Sequence, residues 1–300
     1  MIKRRNDVRE SESVDDAEEP DDDSEKVDGA DEAELTDAQR ARVAEVFQYL
    51  QARQQSFSDA YPFRIDEDGQ LVLLDETSPR SFYLFLLFSS CLRYVVDAKA
   101  AARLPAEFEG VCLAALREIM PKRAEVHLFG KNSYIPNPRY KGLLTKKLEL
   151  LVTDLGEEKR FSDKHFATND TGDNGLDLIA WTPMGDALNG RLIVFGQCAA
   201  TAEWVGKQHT SSPDAWRGIM SQLSDHTNMC FIPFDFRRHD GSWYKEPSIH
   251  NAVVVDRRRI LDLTGVLVGG HASETAAAAW AENLLYPAIN NNRATAKADL

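Results

Sequence analysis

The spacing of apolar residues along the chain changes near Pro121. Upstream of it, apolar residues recur every three or four positions, which predicts helices over 36–50, 78–96 and 105–120. The segment 63–74 interrupts this pattern, because two short apolar runs flank an Asp-Gly turn and predict a β-hairpin. This part of the chain is therefore predicted to be mostly helical.

Downstream of Pro121, short apolar runs alternate with segments of helical spacing. The predicted strands are 126–129, 176–181, 192–197, 229–236 and a last strand formed by 252–255 with 260–263. The predicted helices are 142–155, 214–223 and an alanine-rich segment, 273–285. Helices and strands in this order predict an α/β fold with a mixed sheet flanked by helices.

The first 35 residues are strongly acidic and contain almost no large apolar residues. They hold 15 Asp and Glu against 5 Lys and Arg, a net charge of -10 out of -13 for the whole chain. Such a segment cannot bury enough apolar surface to offset the entropy lost on ordering, so 1–35 is predicted to be a disordered acidic tail. Residues 36–300 carry a net charge of only -3, which does not exclude nucleic-acid binding.

The remaining chain is predicted to comprise a mostly helical domain, 36–121, an α/β domain, 122–290, and a C-terminal tail, 291–300. The longest apolar run is far shorter than the roughly 20 residues that a membrane-spanning helix needs, so no membrane partner is predicted. The four cysteines form no C-x-x-C pair and are expected to be free thiols. The expected location is the cytoplasm.

Two basic runs stand out in the near-neutral part of the chain. One contains Lys141, Lys146 and Lys147, and the other contains the arginines of 237–238 and 257–259. Such runs are commonly solvated faces, but they also suit contacts with nucleic-acid phosphates.

The candidate chemistry centres on Asp177. Glycines and polar turn formers at 171–175 lead into an apolar strand that has Asp177 near its beginning, and the next strand ends with Gln197 and Ala199 on one face. If the two strands form a hairpin, Gln197 lies close to Asp177. The alternative is that 171–175 is only a tight turn and Asp177 a strand-edge residue. No nucleophile elbow, phosphate-binding loop, dinucleotide fingerprint or His-Glu-x-x-His motif occurs.

The chain resembles the PD-(D/E)XK (restriction-endonuclease-like) nuclease superfamily. In that superfamily an Asp lies at the base of one strand, and the neighbouring strand carries an acid or amide two residues before a lysine. The resemblance implies a restriction-endonuclease-like mixed sheet and a Mg²⁺ cofactor. It implies that Asp177, Gln197 and the main-chain carbonyl of Cys198 hold the metal. It also implies a DNA endonuclease, part of a bacterial restriction or anti-phage system, with partner subunits or a homo-oligomer as further possibilities.

The chain departs from the family pattern at the lysine position, which is Ala199. Lys207, on the helix predicted after the strand, is the candidate replacement, with a surface lysine as the alternative. Glu203 is either a further metal ligand or a first-turn acid. The resemblance also implies an acid on the helix before the Asp strand, for which Glu149 is the first candidate and Glu109 the second; a solvent-facing Glu149 beside a lysine is equally compatible with the spacing.

Two other functions remain open. Ala199 in the lysine position and Gln197 in the acid position favour a catalytically silent member of the superfamily, which binds nucleic acid or scaffolds a larger defence complex. An unrelated α/β interaction module is the third interpretation.

Overall fold

The computed structural model describes residues 29–95, 98–130 and 137–268. The contacts within the chain define two compact units, Met1–Val46 and Phe47–Leu300. Helix α1 (Gly29–Phe57) begins seven residues before the predicted start, so residues 29–35 of the acidic tail are helical; residues 1–28 lie outside the described residues. Within the first unit, the apolar residues Val43 and Val46 of this helix are about half exposed.

The hairpin is confirmed, since β1 (Phe63–Ile65) pairs antiparallel with β2 (Leu71–Leu73). Helix α2 (Ser78–Ser89) begins where predicted but ends seven residues before 96. Helix α3 (Ala98–Ile119) includes Pro105, which was expected to open it.

Five strands form the main sheet in the order β3 (Glu125–Leu128), β4 (Leu178–Trp181), β5 (Ile193–Cys198), β6 (Thr227–Phe231) and β7 (Val253–Val255). The pairs β3–β4 and β4–β5 are antiparallel, and β5–β6 and β6–β7 are parallel. The predicted α/β fold with a mixed sheet is therefore confirmed.

The other helices are α4 (Leu144–Leu155), α5 (Trp204–Lys207), α6 (Pro213–Trp216) and α7 (Arg257–Leu263). Short 3₁₀ turns lie at Ser58–Ala60, Leu92–Tyr94, Asp163–His165, Glu246–Ser248 and Val266–Val268. Helix α4 ends as predicted at Gly156, whose φ of 71° is the left-handed conformation that glycine adopts readily.

Two predicted elements differ from the structure in length or type. The helix expected at 214–223 is only the four-residue α6. The segment 260–263, expected to complete the last strand, lies in α7, because the Asp256 side chain accepts a hydrogen bond from the Arg259 main-chain N–H (3.0 Å) and caps a helix there. The predicted helix 273–285 and C-terminal tail 291–300 lie outside the described residues.

The two faces of the sheet pack against different helices. Leu178 and Ala180 of β4 lie in one core with buried residues of α2 and α3, whereas Ile179 and Trp181 lie in a second core with residues of α4. The first of these cores therefore contains residues from both sides of Pro121. In the described part of the chain, no helix is both long and apolar enough to cross a membrane.

Candidate active site at one edge of the sheet

Asp177 occupies a fixed main-chain position at the edge of the sheet, directly before β4. Its N–H donates to the Gly196 carbonyl on β5 (3.1 Å). Its own carbonyl accepts from the N–H groups of Phe129 (2.8 Å) and Gly130 (3.3 Å), which follow β3. Asp177 is therefore tied to the strands on both sides, and its side chain has little freedom to move.

The Asp177 carboxylate meets the end of β5. Its Oδ2 accepts hydrogen bonds from Gln197 Nε2 (2.6 Å) and from the Cys198 main-chain N–H (2.7 Å). The Gln197 carbonyl oxygen Oε1 lies 3.1 Å from the Thr210 hydroxyl, whose single hydrogen also has the carbonyls of Gly175 (3.0 Å) and Lys207 (2.9 Å) within reach. The side-chain pairing expected from the two strands is present, but Gln197 turns its amide nitrogen, not its oxygen, towards Asp177.

A second carboxylate, that of Glu109 on α3, lies beside Asp177. A Cβ atom at Gly130 would lie 3.3 Å from Glu109 Oε2 and 3.6 Å from Asp177 Oδ1. Both acids therefore border the same small space, which the absence of a side chain at Gly130 leaves open. Glu109, the second of the two sequence candidates for a further acid, therefore lies next to Asp177, on a helix that precedes α4 in the chain.

Both carboxyl groups are hard to ionise. Burial, together with the charges of Asp177 and Asp173, raises the pKa of Glu109 to about 8. Burial raises the pKa of Asp177 to about 7, although the N–H of Cys198 opposes this shift. Two adjacent buried acids can be charged together only when a proton or a cation neutralises them.

The donor set fits a hard divalent cation, because carboxylate oxygens are the ligands that Mg²⁺ prefers. Glu109 and Asp177 would hold the ion, and the space above Gly130 would admit it. The predicted ligand role of Gln197 needs its oxygen, but the group that it turns towards Asp177 is its amide nitrogen. Cys198 contributes its N–H to Asp177. In the described residues no group of three or more His, Cys, Asp and Glu side chains has the arrangement of a metal site.

Glu149 does not belong to this site. It lies on the surface of α4, where its carboxylate contacts Lys146 (2.8 Å) and Lys159 (2.8 Å). Hydrogen bonds from these two lysines lower its pKa to about 2. The predicted catalytic role of Glu149 is therefore wrong, and the solvent-facing alternative describes it.

Lys207 ends α5, and its charge acts to lower the pKa of Asp177, so it lies within electrostatic range of the site. Ala199, directly after β5, is fully buried in an apolar cluster that also contains Trp204. Glu203 is exposed, and a hydrogen bond with Thr201 lowers its pKa, so it is a helix-start acid and not a partner of Asp177.

The predicted nucleic-acid-binding lysines divide into two groups. Lys141 and Lys146 are exposed, but Lys147 is only 2% exposed and its ammonium donates to the carbonyls of Thr171 (3.3 Å) and Gly172. Lys147 therefore holds the loop before Asp177 and is not available to a phosphate. Sequence alone gave no sign of this, because the neighbouring Lys146 is identical in type.

Comparison of the chain with protein-family models, with curated proteins and with solved structures finds no match. The contacts of Asp177 and its neighbours are therefore the basis for assigning a function.

Proposed function

We propose that this chain is a metal-dependent DNA nuclease related to the PD-(D/E)XK superfamily. The observation that carries the proposal is the convergence of Asp177, Glu109 and Gln197, which come from three separate elements, at one edge of a mixed sheet. A lysine on the helix after the second strand also agrees with the pattern of that superfamily. The Phe108-Glu109 pair departs from the pattern in its position, because it lies on α3 and α4 comes between α3 and the Asp177 strand.

Each residue has a defined part in the proposed reaction. Glu109 and Asp177 would hold Mg²⁺, and a bound Mg²⁺ supplies charge that stabilises the phosphodiester transition state and lowers the pKa of a water molecule. Gln197 orients the Asp177 carboxylate through its 2.6 Å hydrogen bond. Lys207 adds a positive charge next to the reacting phosphate. A bacterial restriction or anti-phage role is the biological setting we propose.

The test is cleavage of plasmid and linear DNA, and of RNA as a comparison substrate, by the purified chain with Mg²⁺, Mn²⁺ or EDTA. Asp177→Asn and Glu109→Gln should each lower the rate at least about a hundredfold, because each removes one charged metal ligand. Glu149→Gln is the matched control and should retain the wild-type rate. Wild-type cleavage by Asp177→Asn, or cleavage that EDTA leaves unchanged, would refute the mechanism.

A catalytically silent nucleic-acid-binding subunit is the second candidate. Two observations favour it: Ala199 is buried where the superfamily has lysine, and the Gln197 amide holds Asp177 in place of a second metal-binding acid. Under this alternative, the wild-type chain binds DNA but cleaves it with none of these metals.

A further inference from the structure

A pocket lined by arginines lies between α1 and the loop after β6, within the unit that begins at Phe47. We call it the arginine pocket; its lining includes Tyr49, Arg53, Asp235, Arg237, Arg238 and His239. Its volume is about 70 Å³, several times what one water molecule requires. A group of a few heavy atoms, such as a phosphate, fits this space.

The pocket carries more positive than negative charge. Arg53 Nε donates to Asp235 (3.0 Å), and Arg237 donates to the fully buried Asp256 through Nε (2.7 Å) and a terminal nitrogen (3.1 Å). These pairs cancel two arginine charges. Arg238 donates from Nε to the Tyr244 main-chain carbonyl (3.3 Å) and forms no ion pair with the described residues. Its charge acts on the exposed Asp240, whose pKa is lowered by hydrogen bonds from Ser242 and, to a smaller extent, by Arg238.

The pocket also contains N–H donors that are available to a ligand. The terminal guanidinium nitrogens of Arg53 and Arg238 make no hydrogen bond to any residue in the described part of the chain. A guanidinium presents paired N–H groups that match the oxygens of a phosphate. An oxyanion is therefore the ligand whose chemistry the pocket complements.

The pocket lies on the same edge of the sheet as Asp177. Asp177 is bonded to the end of β5, whose last residue, Cys198, is in register with Phe231 of β6. Phe231 is in register with Val255 at the end of β7. Asp235, which lines the pocket, follows the end of β6, and β6 is the second strand from β4 in the sheet. The lateral separation from Asp177 is therefore at least about 10 Å at the usual strand spacing.

A direct side-chain contact connects the helix that carries Lys207 with the arginine pocket. Trp204 of α5, the helix that ends at Lys207, packs edge-on against Phe236, with ring centroids 4.8 Å apart. Phe236 lies between two residues of the pocket lining, Asp235 and Arg237. Lys207 and the arginine pocket therefore place positive charge at two successive points along the edge of the sheet that carries Asp177.

We propose that the arginine pocket binds a backbone phosphate of the nucleic-acid strand that is cleaved at Asp177. This inference rests on the proposed nuclease function and adds the path of its substrate. The separation between the pocket and Asp177 places the bound phosphate within a few nucleotides of the scissile one. The pocket positions the strand and reads no base.

The experiment measures two affinities of the full chain in EDTA: that for inorganic phosphate by calorimetry, and that for a labelled single-stranded DNA oligonucleotide by fluorescence anisotropy. Arg238→Gln should weaken both about tenfold, because it removes charge-assisted hydrogen bonds. Arg64→Gln, a substitution of an exposed arginine on β1, is the control and should change neither.

Absence of phosphate binding by the wild-type chain, or equal affinities of Arg238→Gln and Arg64→Gln, overturns the proposal. Phosphate binding that depends on Arg238, with DNA affinity unchanged in Arg238→Gln, also overturns it, since the strand then does not pass through the pocket. If Arg238→Gln loses affinity for both phosphate and DNA, the arginine-pocket proposal is supported even if no metal activates cleavage. Failure of the nuclease proposal can therefore be told apart from failure of the arginine-pocket proposal.

Discussion

Replacing Glu109 by Gln should stabilise the metal-free chain at alkaline pH. The pKa of Glu109 is raised from 4.5 to about 8, chiefly by burial and then by Asp177. The folded state therefore binds this proton more tightly than the unfolded state, and wild-type stability falls as the pH rises from about 4.5 to about 8. A glutamine does not titrate, so Glu109→Gln escapes this loss.

The size of the effect follows from the same values. The difference between 4.5 and about 8 corresponds to at most about 5 kcal/mol of unfolding free energy. Glu109 is partly exposed, so solvent screening reduces the expected gain to about 2 kcal/mol at pH 8.5, with little gain at pH 5. For a unit of this size, about 2 kcal/mol raises the Tm by about 4–8 °C.

The assay is thermal and urea unfolding of wild type and Glu109→Gln in EDTA between pH 5 and pH 9. Glu149→Gln is the control, because the pKa of Glu149 is lowered to about 2 by Lys146 and Lys159. Its removal should slightly destabilise the chain above pH 5 and never stabilise it. If the stability curves of wild type and Glu109→Gln run parallel from pH 5 to pH 9, the two acids are not coupled in a buried pair.

Three further outcomes follow from the site. Gly175→Ala should lower the Tm in a thermal melt, because a Cβ there would lie 2.6 Å from Thr210 Cβ and Gly175 has a φ of 74°. Lys147→Met should cost about 1–3 kcal/mol in urea unfolding, since it removes the donor to the carbonyls of Thr171 and Gly172, whereas Lys146→Met should leave the stability nearly unchanged. Mn²⁺ titration monitored by electron paramagnetic resonance should give one ion per chain, and Gln197→Glu should add a second. Two ions in the wild-type chain would contradict the assigned orientation of Gln197.

Local sequence signals placed much of the fold. The Asp-Gly turn in 63–74 and the stop of α4 at Gly156 depend on residues close in sequence, and both were predicted correctly. The α/β fold followed from the order of apolar periods. Asp177 and Gln197 were also predictable as neighbours, because a short connection between consecutive strands favours a hairpin that brings their ends together.

The identity of the second acid depended on tertiary structure. Glu109 and Glu149 both lie on helices with apolar neighbours, and spacing did not distinguish them. Only the packing of α3 and α4 on opposite faces of the sheet brings Glu109 to Gly130 and leaves Glu149 among lysines.

The basic residues show the same limit. The sequence by itself determined that positive charges cluster near 141–147 and 237–238, but charge alone does not report burial. The tertiary structure turned Lys147 inward to main-chain carbonyls and left Arg238 at a pocket with unused donors. The physical reason is that hydrogen-bond partners distant in sequence, and not the residue type, decide whether a positive side chain stabilises the fold or remains available to a ligand.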